Sequence, residues 1–111
     1  MNKLTGYKQA VQQLLSQYSQ GYSSDEDVKT QLIFDDERGH YQWMDIGWKG
    51  SKRVYQSIIH LNIEDGKIWL QQNLTEQNPA EDLVEMGINR EDIVLGLQPP
   101  YKRPYTDYGV A

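Results

Sequence analysis

The sequence predicts a single α+β domain spanning residues 1–111. The expected elements are an N-terminal amphipathic helix, a four-stranded antiparallel meander sheet, two short C-terminal helices and an extended tail. Residues 4–20 have the apolar spacing of a helix, and residues 28–73 alternate like strands separated by turn residues. Residues 78–111 open with a helix-start pattern and end in a proline-rich stretch. Runs of strands and helices that are segregated along the chain favour the α+β class over a parallel α/β fold.

The first helix is predicted from one apolar stripe with glutamine-rich positions between its members. The stripe comprises Leu4, Tyr7, Val11, Leu14, Leu15 and Tyr18. Gly21 and Ser23-Ser24-Asp25 are expected to end the helix. A coiled-coil seam is the alternative, but the stripe covers only about two heptads, so packing on a sheet is favoured.

Three turn signals divide residues 28–73 into four strands. Asp65-Gly66 suits the positive φ angles of a type I′ turn. Gly50-Ser51 and residues 36–39 are expected to turn the other two hairpins. The resulting pairs are Glu64 with Lys67, Ile63 with Ile68, Leu61 with Leu70, Ile46 with Tyr55, Met44 with Ser57, and Phe34 with Tyr41.

These registers place large apolar side chains on both faces of the sheet. One face would carry Met44, Ile46, Trp48, Tyr55, Ile59, Leu61, Ile63, Ile68 and Leu70. The other would carry Leu32, Phe34, Tyr41, Trp43, Val54, Ile58 and Trp69. Since one helix covers one face, the second set without Val54 is a candidate interaction surface. We expect a homodimer or a stable complex with another protein; the alternative is a monomer whose tail closes the face.

The C-terminal third begins with a recognisable helix start. Asn78-Pro79-Ala80-Glu81 combines a capping residue, a proline at the first helical position and an acid in the first turn. Asn89 is expected to cap a second short helix containing residues 93–95. After Gly96, three prolines and several tyrosines predict an extended segment lying on an apolar surface.

Composition excludes several classes of protein. The chain carries a net charge of −5, which disfavours coating of nucleic acid by the whole surface. It has no cysteine, so disulfide scaffolds, thiolate metal sites and thiol nucleophiles are excluded. No apolar run approaches the ~18 residues of a membrane span, and no signal-peptide core is visible. A soluble cytoplasmic protein is expected.

The residues offer little for catalysis, and we expect no catalytic residue, metal or cofactor. His60 is expected to be a hydrogen-bonded sheet residue between Tyr41 and Gln71, with a pH-sensitive or interface role as the alternative. Asp65-Gly66-Lys67 matches the D-x-K end of a nuclease pattern that binds metal, and Asp45 would be the upstream acid. That pattern needs D-x-K within a strand, so the hairpin interpretation is favoured. The acidic run 35–37 is expected to be a solvated turn.

Two basic clusters stand out against the acidic background. They consist of Lys49, Lys52 and Arg53 at a hairpin tip, and of Lys102 and Arg103 between tail prolines. Charges that guard a sheet edge are the simpler interpretation. Weak contact with nucleic acid or with an acidic partner is the other.

Several segments together resemble one family. They are Gln31-Leu32-Ile33-Phe34-Asp35, His40-Tyr41-Gln42, Gly47-Trp48, Arg53-Val54-Tyr55, His60, Asp65-Gly66-Lys67-Ile68-Trp69, Thr75-Glu76, Glu91-Asp92-Ile93-Val94-Leu95-Gly96, and Tyr101-Lys102-Arg103 through Val110-Ala111. In this order they resemble the XisI-like family, the fdxN element excision controlling factors of cyanobacteria.

The resemblance implies a small α+β accessory protein in programmed DNA rearrangement. In that system a site-specific recombinase excises an element from a nitrogen-fixation gene, and XisI-like proteins control the excision together with a companion called XisH. The implied function is control of excision through protein–protein contacts, without catalysis. Two alternatives stay open: an antitoxin-like partner that masks a nuclease-like companion, and a metal-dependent DNA-processing enzyme.

Overall fold

The computed structural model describes residues 2–21 and 26–110, and it confirms the α+β class. The elements in chain order are α1 (Lys3–Gln20), β1 (Val28–Asp35), β2 (His40–Lys49), β3 (Lys52–Glu64), β4 (Lys67–Asn73), α2 (Pro79–Glu85), a 3-10 turn (Arg90–Asp92), β5 (Ile93–Val94) and a 3-10 segment (Pro100–Tyr105). The five strands form one sheet in the order β1-β2-β3-β4-β5. Within the described ranges, no helix is both long and apolar enough to cross a membrane.

Helix α1 forms where the apolar stripe predicts it. The side chain of Asn2 caps the helix by accepting a hydrogen bond from the Thr5 backbone N–H at 2.8 Å. The stripe buries Tyr7, Ala10, Val11, Leu14 and Leu15. Gly21 is the C-cap, and the predicted stop at residues 23–25 lies outside the described residues. The helix therefore packs on the sheet, as its spacing predicts.

The predicted hairpin registers are confirmed at the turns. Asp65 and Gly66 both have positive φ, 53° and 75°, as a type I′ turn requires. Glu64 lies opposite Lys67 and Leu61 opposite Leu70. The other predicted pairs of β2 with β1 and with β3 are also present.

The predicted division of apolar residues between two faces holds for β1, β2 and the start of β3. It is wrong for the residues after Ile58 and for β4, because β3 carries a β-bulge. Met44 pairs with Ser57, but the neighbouring Trp43 pairs with Ile59, which leaves Ile58 as an extra residue. Since one extra residue reverses the alternation, Ile59 and the alternate residues after it point to the same side as Trp43. A second irregularity in β4 leaves Gln71 without a partner on β3.

One face of the sheet therefore carries the core. We call it the helix-covered face, since the buried stripe of α1 belongs to the same apolar cluster. Its buried sheet residues are Tyr41, Trp43, Ile58, Ile59, Leu61, Ile63, Ile68 and Leu70. The opposite side of β1, β2 and β3 is here called the open face, and its apolar residues are Ile33, Met44, Ile46, Trp48 and Tyr55.

The C-terminal region differs from the prediction in two ways. Asn78 caps α2 as predicted, by accepting from the Glu81 N–H at 3.3 Å. The predicted second helix is instead a 3-10 turn followed by β5, a fifth strand parallel to β4. Ile93 and Val94 are fully buried beside the edge of β4. Their carbonyls accept from the backbone N–H groups of Gly109 at 2.8 Å and Gly96 at 3.0 Å. The tail is not extended between Pro100 and Tyr105 but forms 3-10 turns.

Candidate interaction surfaces

The six residues predicted to form one interaction surface are distributed over three environments. Tyr41, Trp43 and Ile58 are buried in the core beneath α1. Leu32 and Phe34 lie on β1, at the sheet edge, and each remains 36% exposed. Trp69 is half-buried on the opposite side of the sheet, in the row of Asn62 and His40. The bulge in β3 places Trp69 on the other face, and α1 packs on the face of the other five, so the six do not form one exposed patch.

The open face presents aromatic and aliphatic side chains to solvent. Tyr55 is 67% exposed, Trp48 49% and Ile33 44%. Ile46 and Tyr55 are cross-strand partners, so they lie side by side with Trp48 in the next row. This arrangement is an exposed apolar patch of the kind that marks protein contacts.

Two basic residues, Lys29 and Arg53, border this patch. Lys29 is the cross-strand neighbour of Ile46 on the outer strand. Lys49, Lys52 and Arg53 are exposed at the tip that joins β2 and β3. The Arg53 guanidinium lies 5.3 Å from the centre of the Trp48 ring, which is cation–π geometry. The patch thus combines an apolar centre with a positive rim.

The second predicted basic cluster is divided between two roles. Lys102 is exposed. Arg103 is half-buried, and its Nε donates to the carbonyl of Gln98 at 3.1 Å. Its guanidinium also lies 5.3 Å from the centre of the Trp69 ring. Arg103 therefore holds the 3-10 segment of the tail against the sheet.

His60 is a hydrogen-bonded sheet residue, as predicted, although its neighbours differ. It lies between Gln42 and Gln72, because both bulges shift the register. Its Nε2 lies 2.8 Å from Asn62 Oδ1, and His40 Nδ1 lies 3.0 Å from the same oxygen. Burial lowers the pKa of His60, and this effect outweighs the hydrogen bond to Asn62.

The residues of the nuclease-like pattern have structural roles. Asp65-Gly66-Lys67 occupies the β3–β4 turn, with Asp65 in the left-handed region. Asp45 is buried and accepts hydrogen bonds from Trp43 Nε1 at 3.1 Å and from Thr30 Oγ1 at 3.0 Å. Among the described residues, no three His, Asp or Glu side chains form a metal-binding group.

Carboxylate–tyrosine contacts fasten α1 and the tail to the C-terminal elements. Tyr7 donates a hydrogen bond to the buried Asp92, which also pairs with Lys3 Nζ at 2.5 Å. Tyr18 donates to Asp82 on α2. In the tail, Tyr108 donates to Glu81 at 2.6 Å. The sequence does not predict these contacts, because their partners are far apart along the chain; the tyrosines in the helical stripe are the only hint.

A surface cleft of about 490 Å³ lies where the end of α1 meets the loop after β4. The described residues lining it include Gln17, Gln56, Thr75 and Glu76, with Trp43 among its apolar ones. Asn73 Oδ1 orders the loop by accepting from Thr75 N at 2.9 Å and Thr75 Oγ1 at 2.6 Å. Sequence patterns did not reveal this cleft, since it depends on how α1 crosses the sheet.

Comparison with known proteins identifies the family of this chain. The family profile described as XisI protein matches residues 1–110. A crystal structure of a XisI-like protein from Anabaena variabilis ATCC 29413 superimposes with a TM-score of 0.94 at 63% identity, covering 97% of this chain and 99% of that one. The fdxN element excision controlling factor XisI from the same organism gives a TM-score of 0.89 at 36% identity, covering 99% and 100%. A search of curated proteins found no match. Since the profile and both structures span nearly the whole chain, this protein belongs to the XisI family.

Proposed function

We propose that this protein is a non-enzymatic accessory factor that controls the excision of a DNA element through protein–protein contacts in the cytoplasm. The family, and the excision-controlling function named for the relative at 36% identity, support this role. The partners we propose are a XisH-like companion protein and a site-specific recombinase, with weak or indirect DNA contact.

The open face is the observation that carries the proposal. Its exposed Trp48 and Tyr55 are the residue types most enriched where protein interfaces concentrate their binding energy. A partner that fits this surface has an apolar patch with acidic groups beside it, because Lys29 and Arg53 border the patch. The acidic charge of the chain as a whole opposes direct binding to DNA.

Co-purification with the companion protein tests this proposal. The variant is Tyr55→Asp, and the matched control is Tyr105→Asp, an equally drastic change at a tail residue that is 89% exposed. We expect Tyr55→Asp to weaken the complex at least about 30-fold, the effect of losing a hot-spot aromatic of about 2 kcal/mol, and Tyr105→Asp to leave it unchanged. Equal binding by all three proteins would contradict the proposal.

An antitoxin-like role is the second candidate, and the net charge of −5 favours it, since an acidic protein can occupy the basic surface of a nuclease. The same complex distinguishes the two functions. If the companion cleaves DNA alone and stops when this chain is added, this chain masks a nuclease. If the companion cleaves no DNA either alone or with this chain added, control of excision is favoured.

A further inference from the structure

We propose that the outer edge of β1 pairs with β1 of a second copy, and that this joins two sheets into one continuous sheet. β1 is at the end of the strand order. Its pairing with β2 runs without a bulge from Val28 to Asp35, and it contains no proline. Bulges and prolines are two of the features that keep an edge strand from pairing with another chain, and β1 has neither.

The backbone groups of the edge point outward at alternate residues. The carbonyl of Asp27 accepts from Trp48 N at 3.0 Å, so position 27 points toward β2. Because the direction alternates along an antiparallel strand, Thr30, Leu32 and Phe34 direct their N–H and C=O groups away from β2. Among the loop, turn and cap hydrogen bonds of the described residues, none involves these three backbones.

The side chains of the edge are unusually apolar for a solvent-facing strand. Leu32, Ile33 and Phe34 are consecutive and between 36% and 44% exposed. Leu32 and Phe34 pair with Trp43 and Tyr41, so they belong to the helix-covered face. Their exposed parts are therefore continuous with the core at its outer border.

One two-fold symmetric register pairs opposite charges and also keeps the helix-covered faces of both copies on the same side. With the axis perpendicular to the sheet at Leu32, Leu32 lies opposite Leu32 of the second copy and Thr30 opposite Phe34. These are the outward-pointing residues, and they form about six backbone hydrogen bonds. Lys29 then lies opposite Asp35 at both ends, in non-hydrogen-bonded pairs with Cα atoms about 4.5 Å apart.

Other registers lose this complementarity. A shift by one residue places the helix-covered face of one copy beside the open face of the other. Centring the axis on Gln31 places Asp27 opposite Asp35, which is repulsive. Asp35 is well suited to the Leu32-centred register, because the hydrogen bonds from Arg38, led by its backbone N–H, lower the pKa of Asp35 and keep it ionised.

Sedimentation equilibrium with charge-exchanged variants tests the proposal. Wild-type protein should have about twice the 12.9 kDa mass of one chain. Lys29→Asp and Asp35→Lys should each weaken the dimer at least about tenfold, since each creates like-charge pairs at both ends. An equimolar mixture of the two variants should restore it, because opposite charges then meet at both ends. Lys52→Asp changes the net charge equally but lies away from the edge, so it should leave the dimer intact.

Asp35 also holds Arg38 in the turn, so its replacement removes a contact within one chain as well. Hydrogen exchange on the wild-type chain is therefore an independent measurement of the dimer. The amides of Thr30, Leu32 and Phe34 should be protected in the dimer and should exchange rapidly after dilution to monomer. A monomer at high protein concentration would overturn the proposal. So would a dimer in which these amides stay unprotected, or a variant mixture that remains monomeric.

Discussion

Asp92 connects three parts of the molecule through one carboxylate. It is buried beside Tyr7 and Lys3 of α1, next to the start of β5. Burial by itself raises its pKa, but the hydrogen bonds from Lys3 and Tyr7 outweigh burial, so the net pKa lies below the ordinary 3.8. The desolvation of Tyr7, together with its bond to Asp92, raises the pKa of that phenol to about 12.

This lowered pKa gives the stability a predictable pH dependence. The folded form binds the proton less tightly than the unfolded chain, so the carboxylate stabilises the fold above its ordinary pKa and loses this effect as the pH falls below it. Asp92→Asn should lower the free energy of unfolding by roughly 1 kcal/mol near neutral pH. The difference in the free energy of unfolding between wild type and Asp92→Asn should become smaller toward about pH 3. Urea titrations at both pH values measure it, and a difference that grows on acidification would contradict this sign.

Trp43 and Trp48 lie on opposite faces of the sheet, so replacing each by alanine should change the stability by different amounts. Trp43 is fully buried and donates its indole N–H to Asp45, so Trp43→Ala should cost about 3–5 kcal/mol. Trp48 is largely exposed, and Trp48→Ala should change stability by less than about 1 kcal/mol. Thermal unfolding of both variants provides the comparison. Equal losses would mean that the assignment of the two faces is wrong.

Among the elements, the β3–β4 turn and α1 allow a matched glycine test. Gly66 has φ +75° and Gly6 lies within α1, and an added Cβ meets nothing within 4 Å at either position. Gly66→Ala should destabilise by about 1 kcal/mol, since an L side chain disfavours the left-handed region. Gly6→Ala should stabilise by about 0.5–1 kcal/mol through helix propensity. Chemical denaturation of both variants should show opposite signs.

The helices and hairpins show how much of the fold is determined by local sequence patterns. α1, the three hairpin turns and the cap of α2 follow from apolar spacing, turn dipeptides and Asn78-Pro79, all of which act within a few residues. The bulge at Ile58 does not, because it depends on how Ile59 and Trp43 pack under α1. β5 was missed for a related reason: Ile93 and Val94 become a strand only beside the edge of β4.

At the level of the whole molecule, the predicted interaction surface depended on the registers. The sequence correctly indicates more apolar residues than one helix covers. The bulge moves Ile59, Leu61 and Ile63 to the face of Trp43, which α1 covers, and Trp48 and Tyr55 stay exposed on the other face. The basic residues at the β2–β3 tip could be located from the hairpin alone. The role of Arg103 could not, because it depends on the fold of the tail.

The overall charge predicts weak binding to duplex DNA. The chain carries −5, and its basic residues at the β2–β3 tip neutralise only a few phosphates. Fluorescence anisotropy with labelled duplex should show no sub-micromolar affinity at near-physiological salt. A tight complex with a steep dependence on salt would contradict this prediction.

The two proposed contacts meet at Lys29 and Ile33 of β1 but are otherwise made by different groups. The backbone edge of β1 forms the dimer, and the side chains of β2 and β3 on the open face form the partner contact. Pairing through β1 places the helix-covered faces of both copies on one side and leaves both open faces on the other. A dimer would therefore present a doubled open face to a partner, and the avidity of such an arrangement can exceed the affinity of either site.

Excision frequency in cells that lack their own copy of this protein tests whether the open face controls excision. Amplification across the excision junction, after complementation with wild type, Tyr55→Asp or Asp65→Asn, measures it. We predict that wild type and Asp65→Asn restore normal excision, because Asp65 serves only the turn, whereas Tyr55→Asp changes excision as strongly as loss of the protein. Normal excision with Tyr55→Asp, together with its loss in a folded Asp65→Asn variant, would contradict control through the open face and would favour catalysis at the turn.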